Sequence, residues 1–132
     1  MALAITLKPQ ERVILAGIVV RNTSRQPAHL LVETSAVVLR EGDILPEKSA
    51  RTPCGRIYLA LQLLYLEPND PAPLHKTLLA LSEEVLSAAP SLAPTLEEIG
   101  LRVLGGDVYK ALRVGKQLLK QEQALLEKAL AS

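Results

Sequence analysis

Residues 52–66 read TPCGRIYLALQLLYL, and this stretch separates two parts of the chain that differ in character. A hydroxyl residue before a proline is a common helix start, because the hydroxyl caps free backbone amides and proline has none to cap. From Ile57 onward the segment is apolar on nearly every side. We therefore predict a central, buried helix from Pro53 to about Leu66.

The part before this helix has the pattern of short β-strands. Residues 12–21, RVILAGIVVR, are rich in β-branched residues and predict strand structure, with Gly17 as a bend or bulge. Further short strands are expected within residues 5–8, 29–33 and 36–40. Four or five strands at this spacing predict a small antiparallel sheet or barrel.

Two helices are predicted directly behind the central one. Asp70 and Pro71 can start the first of them, which runs to about Ala89. The second begins at Thr95, whose spacing to Glu98 is that of a capping box, in which each side chain bonds a backbone amide at the helix start.

The last helix is predicted from Asp107, its N-cap, to about Ala131, after a break at residues 105–106. Its apolar stripe, with a period near 3.6, is predicted to comprise Leu104, Val108, Leu112, Leu119 and Leu126. Together these segments predict an α+β fold, a small N-terminal antiparallel sheet or barrel followed by about four helices. We assign the β-rich part to residues 1–50 and the helical part to residues 51–132.

Composition limits both the core and the compartment. Hydrophobic residues make up 48% of the chain, but Phe and Trp are absent, so Leu, Val, Ile and Ala must fill the core. The single cysteine excludes an intramolecular disulfide and indicates a reducing compartment. The N-terminus lacks the basic region of a signal peptide, and the longest apolar stretch is too short to span a bilayer. We expect a cytoplasmic protein with no membrane contact.

Candidate catalytic and metal-binding residues are few. Cys54 stands at a helix start, where the helix dipole lowers a thiol pKa, but His29 and His75 fall in different parts of the chain. A structural role for Cys54 is the preferred interpretation. No cluster has metal-ligand spacing, and no glycine-rich phosphate loop is present. We predict no enzyme activity, no metal site and no cofactor, and hence a protein that acts by binding.

Two groups of basic residues are candidate binding surfaces. Residues 1–56 carry eight Lys and Arg against five Asp and Glu, so the front of the chain is mildly basic. The first group lies on the predicted strands, where alternate residues share a face, and consists of Lys8, Arg12, Arg21, Arg25 and Arg40. The second group has helical spacing on the last helix and consists of Lys110, Arg113, Lys116 and Lys120. The second group is either a solvated helix face, which is the simpler interpretation, or a second contact for phosphate or a partner.

Several segments of the front part resemble the flagellar biosynthesis repressor family FlbT. The resemblance is carried by residues 7–12 (LKPQER), by residues 36–41 (AVVLRE) and by the helix start at Thr52 with the residues that follow it. Gln10 stands where the family commonly has glycine. The resemblance implies post-transcriptional control of flagellin, through association with the leader of flagellin messenger RNA and its translation or decay, beside a small partner called FlaF.

A fainter likeness is to the carbon storage regulator family of RNA-binding repressors. Residues 9–11, the apolar strand behind them and the residues around Arg40 are similar to that family. Its members are small β-sandwich homodimers that grip a GGA-containing RNA loop with two arginines. The likeness implies that Arg40 and Lys8 face the RNA, and we expect Arg12 and Arg21 to contact its phosphates.

Two functions stay open at this point. In the first, the β part binds the flagellin messenger RNA leader and the helical part supplies oligomerisation or partner contact. In the second, the protein is an adaptor whose amphipathic helices engage flagellin or FlaF, and its effect on RNA is indirect. A homo-oligomer, dimeric or larger, is expected in both, because a short sheet leaves strand edges that a second copy can pair.

Overall fold

The chain divides into a β unit, residues 1–44, and a helical unit, residues 45–132. The computed structural model describes residues 2–33, 36–67 and 69–131. The strands are β1 (Leu3–Leu7), β2 (Arg12–Leu15), β3 (Ile18–Arg21), β4 (Ala28–Val32) and β5 (Val38–Arg40). The helices are α1 (Pro53–Leu66), α2 (Ala72–Ala88), α3 (Ala93–Leu104) and α4 (Val108–Ala131). The α+β class, with antiparallel strands before four helices, is confirmed.

The β unit is built from two antiparallel sheets. β1 pairs with β4, while β3, β2 and β5 form a three-stranded sheet in that order. Alternate side chains from both sheets bury a small aliphatic core around Ile5, Leu7 and Val13. Because residues 1–44 contain no Phe, Tyr or Trp, little apolar area is buried for each residue ordered. Polar contacts therefore have an important part in holding this unit.

Residues 12–21 form a two-stranded hairpin, which corrects the expected bend or bulge at Gly17. Ala16 and Gly17 have φ angles of 49° and 84°. Two successive residues in the left-handed region are typical of the tight turn that joins neighbouring antiparallel strands. Leu15 accordingly pairs with Ile18. The sequence signal for this turn is weak, because Asn or Gly normally occupies the position that Ala16 holds.

The turn between β1 and β2 places Gln10 at a φ of 67°, in the left-handed region that favours glycine. The Glu11 amide donates to the Lys8 carbonyl at 3.0 Å, and the Glu11 carboxylate accepts from the Lys8 amide at 2.8 Å. The turn therefore accounts for glycine at this position in the family that the segment resembles.

Asn22 is buried and closes the β unit at the end of β3. Its side-chain amide donates to the carbonyl oxygens of Leu7, Lys8 and Gln26 at 3.1, 3.2 and 2.8 Å. Its side-chain oxygen accepts from both the amide and the hydroxyl of Ser24. One side chain thus provides partners for backbone groups at the end of β1 and in the loop before β4.

In the helical unit, α1 begins and ends where predicted. The Thr52 hydroxyl oxygen accepts from the Gly55 amide at 3.0 Å, and Pro53 occupies the first turn. Gln62 interrupts the apolar run, yet its side chain is buried. It accepts from the Leu45 amide at 2.7 Å and donates to the Leu45 carbonyl at 3.0 Å. The polar residue therefore anchors the segment that leads into the helix.

A carboxylate of α4 caps the first turn of α1. Glu122 accepts from the Thr52 hydroxyl through one oxygen and from the Cys54 amide, at 3.2 Å, through the other. A negative charge at a helix N-terminus is stabilised by the unpaired amides and by the helix dipole. The contact holds the N-terminal end of α1 against the middle of α4.

Further along, α1 and α4 pack antiparallel at close range. A Cβ atom at Gly115 would lie 3.1 Å from the ring of Tyr58, so the glycine leaves the space that this ring occupies. Beyond it, the rings of Tyr65 and Tyr109 lie 5.6 Å apart, a normal distance for an aromatic pair. The aromatic side chains of the whole chain are therefore gathered at this one helix pair.

The start of α3 differs from the prediction. α3 begins at Ala93, so Thr95 lies inside the helix and donates to the side-chain oxygen of Gln121 at 2.7 Å. The expected capping box with Glu98 is therefore wrong, because a neighbouring helix supplies the partner of the hydroxyl. The predicted cap of α4 is confirmed, since Asp107 accepts from the Lys110 amide at 3.1 Å.

The buried face of α4 also differs from the predicted stripe. Leu112 is buried, but Leu104 and Leu126 are exposed. The residues that face inward are Ala111, Leu112, Val114, Gly115 and Leu118. Small residues let two helices approach closely, so the face that carries Ala and Gly packs against α1 in place of the face with the most leucines.

Replacing Asn22 by Ala should destabilise the β unit. The change removes three hydrogen bonds to backbone carbonyls, of which the bond to the Leu7 carbonyl is buried, so we expect a loss of about 2–3 kcal/mol in the free energy of unfolding. Urea unfolding followed by circular dichroism measures the loss. Thr23→Ala is the matched control, because Thr23 is exposed and should change stability little. Equal stability of the two variants would contradict the role given to Asn22.

Candidate nucleic-acid interface

Arg12 and Arg21 lie directly opposite each other on neighbouring strands. They are register partners in the β2–β3 hairpin, so both side chains project from the same face. This face of the three-stranded sheet is opposite to the small core, toward which Val13 and its partner Val20 turn. At β5 the same face is covered, since Leu39, the partner of Ile14, is buried. Both arginines are exposed. The structure therefore brings two of the four predicted RNA-binding residues together.

Glu41 holds one of these arginines in place. The Nε of Arg12 donates to a Glu41 oxygen at 2.9 Å, and the Arg12 amide donates to the other oxygen at 3.3 Å. The Arg12 hydrogen bonds, with a smaller attraction from Arg21, hold the pKa of Glu41 below its usual value. Arg12 is consequently oriented before any ligand binds, but part of its charge is neutralised.

Arg40 is not on the same face as Arg12 and Arg21, which corrects the expectation that the strand residues of this group share a face. Arg40 is the register partner of Val13, so its side chain turns toward the inner face. Its Nη2 donates to the Thr6 carbonyl of β1 and lies 3.4 Å from Glu11. Its side chain is 41% exposed. Arg40 joins the two sheets, and this structural role separates it from the exposed pair.

Sequence reasoning missed the two glutamates, although a signal was present. The dipeptides Glu11-Arg12 and Arg40-Glu41 have opposite charge order and lie on antiparallel neighbours. Antiparallel pairing then sets each arginine near the other strand's glutamate. With them counted, residues 1–44 contain five Lys and Arg and four Asp and Glu, so the β unit is only weakly basic.

The remaining basic residues of the β unit are Lys8 and Arg25. Both are exposed, Lys8 in the turn after β1 and Arg25 in the loop after β3. Among the described residues, neither side chain forms an ion pair. They extend the positive charge beyond the Arg12–Arg21 pair without sharing its strand face.

The second basic group lies on α4, as its spacing predicted. Lys110, Arg113 and Lys120 are exposed, and Lys116 is half-buried. Lys110 pairs with Asp107 at 3.7 Å within the first turn of the helix. A binding role for this group stays a prediction.

Cys54 is buried in the first turn of α1. Burial, with a further contribution from the nearby Glu122 carboxylate, raises the pKa of the thiol to about 12. The helix dipole, which would act in the opposite direction, is outweighed. His29 lies on β4, where its Nδ1 is 3.2 Å from the Thr6 hydroxyl, and His75 is exposed on α2. The Cys54 thiol is therefore enclosed and stays protonated at neutral pH.

The Cys54 thiol should be inert in the folded protein. Its raised pKa keeps it protonated at pH 8, so Ellman's reagent should react measurably only after unfolding in urea. As a positive control, Ser49→Cys adds an exposed thiol that should react at once in the folded chain. Rapid modification of Cys54 in the native protein, with the fold retained, would contradict this environment.

The helical unit exposes apolar surface. A groove of about 370 Å³ lies between α2 and α3, and its lining includes His75, Leu79 and Leu104. Leu79 is 63% exposed and Leu104 is 83% exposed. A second groove, of about 520 Å³, lies between the start of α1 and the ends of α2 and α4. Exposed apolar area of this kind is typical of protein-interaction sites.

Across residues 2–33, 36–67 and 69–131, His, Cys, Asp and Glu side chains form no group of three that could hold a metal ion. In the same residues, every helix lacks either the length or the apolar character that a membrane span requires.

Comparison with known proteins gives a consistent result. The family model described as Flagellar protein FlbT matches residues 3–126. A Bradyrhizobium diazoefficiens protein named probable flagellum biosynthesis repressor protein FlbT 1 is 42% identical over 126 residues, which are 95% of this chain and 85% of that protein. A Rhodopseudomonas palustris protein named probable flagellum biosynthesis repressor protein FlbT is 38% identical over 128 residues, 97% of this chain and 100% of that protein.

A more distant relative is the flagellum biosynthesis repressor protein FlbT of Caulobacter vibrioides, which is 29% identical over 96% of this chain and 90% of that protein. No solved structure matches the chain. The family match covers the strands and the helices alike, and the relatives align over nearly the full length. The chain therefore belongs to the FlbT family of flagellar proteins.

Proposed function

We propose that this chain acts after transcription, by binding the leader of flagellin messenger RNA through its β unit and controlling the translation or decay of that message. A role as a regulator of flagellar synthesis is supported by the family and by relatives named flagellum biosynthesis repressors. The RNA contact is our proposal, and the Arg12–Arg21 pair is the observation that carries it.

Two like charges directly opposite on adjacent strands destabilise the pairing unless an anion lies between them. Glu41 relieves this repulsion at Arg12. Arg21 is exposed and forms no ion pair among the described residues. A phosphate can accept hydrogen bonds from a guanidinium group through two oxygens, so an RNA backbone suits this position.

The absence of aromatic residues from the strands restricts the mode of binding. The three tyrosines, Tyr58, Tyr65 and Tyr109, belong to α1 and α4. Base stacking on Phe, Tyr or Trp of the sheet is therefore excluded as the source of affinity, in contrast to RNA-recognition motifs. We expect recognition of the RNA backbone and of a folded or exposed loop, with strong dependence on salt.

Arg21→Gln should weaken binding of a labelled flagellin-leader RNA in a fluorescence titration. Loss of one phosphate contact should also reduce the slope of log affinity against log salt concentration by about 0.7. Arg56→Gln, on exposed surface of α1, removes the same charge and is the matched control. Equal affinity of the Arg21 and Arg56 variants at fixed salt would overturn the proposed contact.

Arg40→Gln is a poor test, because Arg40 bonds the Thr6 carbonyl and its loss would disturb the sheets. Glu41→Gln is more informative, since it removes the carboxylate that neutralises Arg12. This variant should bind the RNA more tightly than the natural chain. Opposite effects of the Arg21 and Glu41 variants would identify this face, and weaker binding by the Glu41 variant would contradict it.

The apolar groove between α2 and α3 supports a second candidate function. In this alternative the helical unit is an adaptor that holds an amphipathic helix of flagellin or of FlaF, with Leu79 and Leu104 as anchors. The exposure of these leucines favours it. The two functions use different units of the chain and can be separated by mutation.

If the adaptor function holds, Leu104→Gln should abolish co-purification of flagellin or FlaF from an RNase-treated extract. Because Leu104 is largely exposed, the variant should keep the stability of the natural chain. Leu130→Gln, at an equally exposed leucine of α4, is the matched control. Retention of the partner by the Leu104 variant would exclude the groove as its binding site.

A further inference from the structure

Strand β3 forms one edge of the three-stranded sheet and is unusually apolar for an edge. It pairs with β2 on one side, and on its other side no described strand pairs with it. Its sequence is IVVR, and Ile18 and Val19 are 66% and 62% exposed. Natural sheet edges are usually kept short and carry charged residues, proline or a bulge that prevents further pairing. β3 is short and has one charged residue, Arg21 at its end, but neither proline nor a bulge.

The hairpin register shows which backbone groups face outward. In a two-residue hairpin the residues beside the turn, Leu15 and Ile18, exchange backbone hydrogen bonds. Every second pair beyond them does the same, so Val13 and Val20 form the next hydrogen-bonded pair. Ile18 and Val20 therefore direct their backbone groups toward β2. The Asn22 amide continues the ladder to the Glu11 carbonyl at 3.0 Å. The amides and carbonyls of Val19 and Arg21 consequently point away from the sheet.

We propose that β3 pairs antiparallel with β3 of a second copy of this chain, about a two-fold axis at Val20. Val19 of one copy then faces Arg21 of the other, and each such pair exchanges two backbone hydrogen bonds. The result is a continuous six-stranded sheet in the order β5-β2-β3 followed by its symmetry mate. The outward-facing groups of Val19 and Arg21 are satisfied in both copies.

The side chains of β3 suit a second copy as the occupant. In this register the aliphatic stem of Arg21 covers the exposed Val19 of the partner copy, and the two Val20 side chains meet on the inner face. No arginine stands directly opposite an arginine across the new pairing. The strand is thus complementary to itself in backbone hydrogen bonding, and the register avoids direct opposition of two arginines.

The pairing would also enlarge the basic face. Arg12 and Arg21 of both copies come to lie on one side of the continuous sheet, with the two Arg21 residues as diagonal neighbours about 7–8 Å apart at Cα. One copy carries a weakly basic pair, whereas two copies present four guanidinium groups to a polyanion. The enlarged basic face rests on the proposed RNA-binding function, but the strand pairing does not.

Sedimentation velocity of the full chain, from about 1 to 100 μM, tests the pairing, because the fraction of dimer must rise with protein concentration. The natural chain should be dimeric. Val19→Pro removes the outward-facing amide, and an edge strand tolerates proline at such a position. The substitution should raise the dissociation constant of the dimer at least about tenfold. Val19→Thr keeps the amide and should leave the dissociation constant nearly unchanged. Circular dichroism should show the same secondary structure in all three.

Hydrogen exchange at single residues provides a second measurement. The Arg21 amide should be protected in the natural chain and exchange rapidly in Val19→Pro. A natural chain that stays monomeric at all concentrations would overturn the pairing. So would a dimer in which the Arg21 amide exchanges rapidly, or one that Leu104→Gln dissociates and Val19→Pro does not.

An RNA titration tests the strand pairing and the RNA binding separately. If the natural chain dimerises through β3 but binds no flagellin-leader RNA, the proposed function fails and the pairing stands. If the Val19→Pro monomer binds the RNA as tightly as the dimer, the enlarged basic face is refuted. Loss of RNA affinity in Val19→Pro, with affinity kept in Val19→Thr, would support both the strand pairing and the RNA binding.

Discussion

Backbone amides and carbonyls that leave the solvent need partners, and in this chain a few polar side chains supply them at the points where strands and helices end. Asn22 does so in the β unit. In the helical unit, Gln62 bonds the connector before α1, and Glu122 caps the first turn of that helix. An aliphatic core with few aromatic residues buries less area per side chain, so these polar contacts carry more of the specificity of the fold.

The arginines of the β unit show that charge counted along a sequence differs from charge available on a surface. Arg40 joins two sheets and Arg12 is held by Glu41, so neither is a free cation. Arg21 is the member of the group that is exposed on a strand without an ion-pair partner among the described residues. The glutamates make the isolated β unit weakly basic, and this explains why a second copy or a second basic group matters to the RNA-binding proposal.

Apolar exposure has two different forms in the two units. On β3 the exposed apolar side chains stand beside backbone groups that point away from the sheet, and such groups can bind an extended strand. On α2 and α3 the apolar exposure accompanies helices whose backbone is already bonded, and a groove between leucines accepts a helix of suitable shape. The two proposed contacts therefore use different atoms of the chain.

The α+β class, the central helix from Pro53 to Leu66 and the cap at Asp107 could be predicted from the sequence, because each follows from local pattern and local capping chemistry. The likeness to the FlbT family could also be recognised from short segments of the strands and of the start of α1. Which residues face each other became clear only from the folded chain. The hairpin at Gly17, the inward turn of Arg40 and the Thr95 contact with α4 depend on partners distant in the sequence, which no local period can identify.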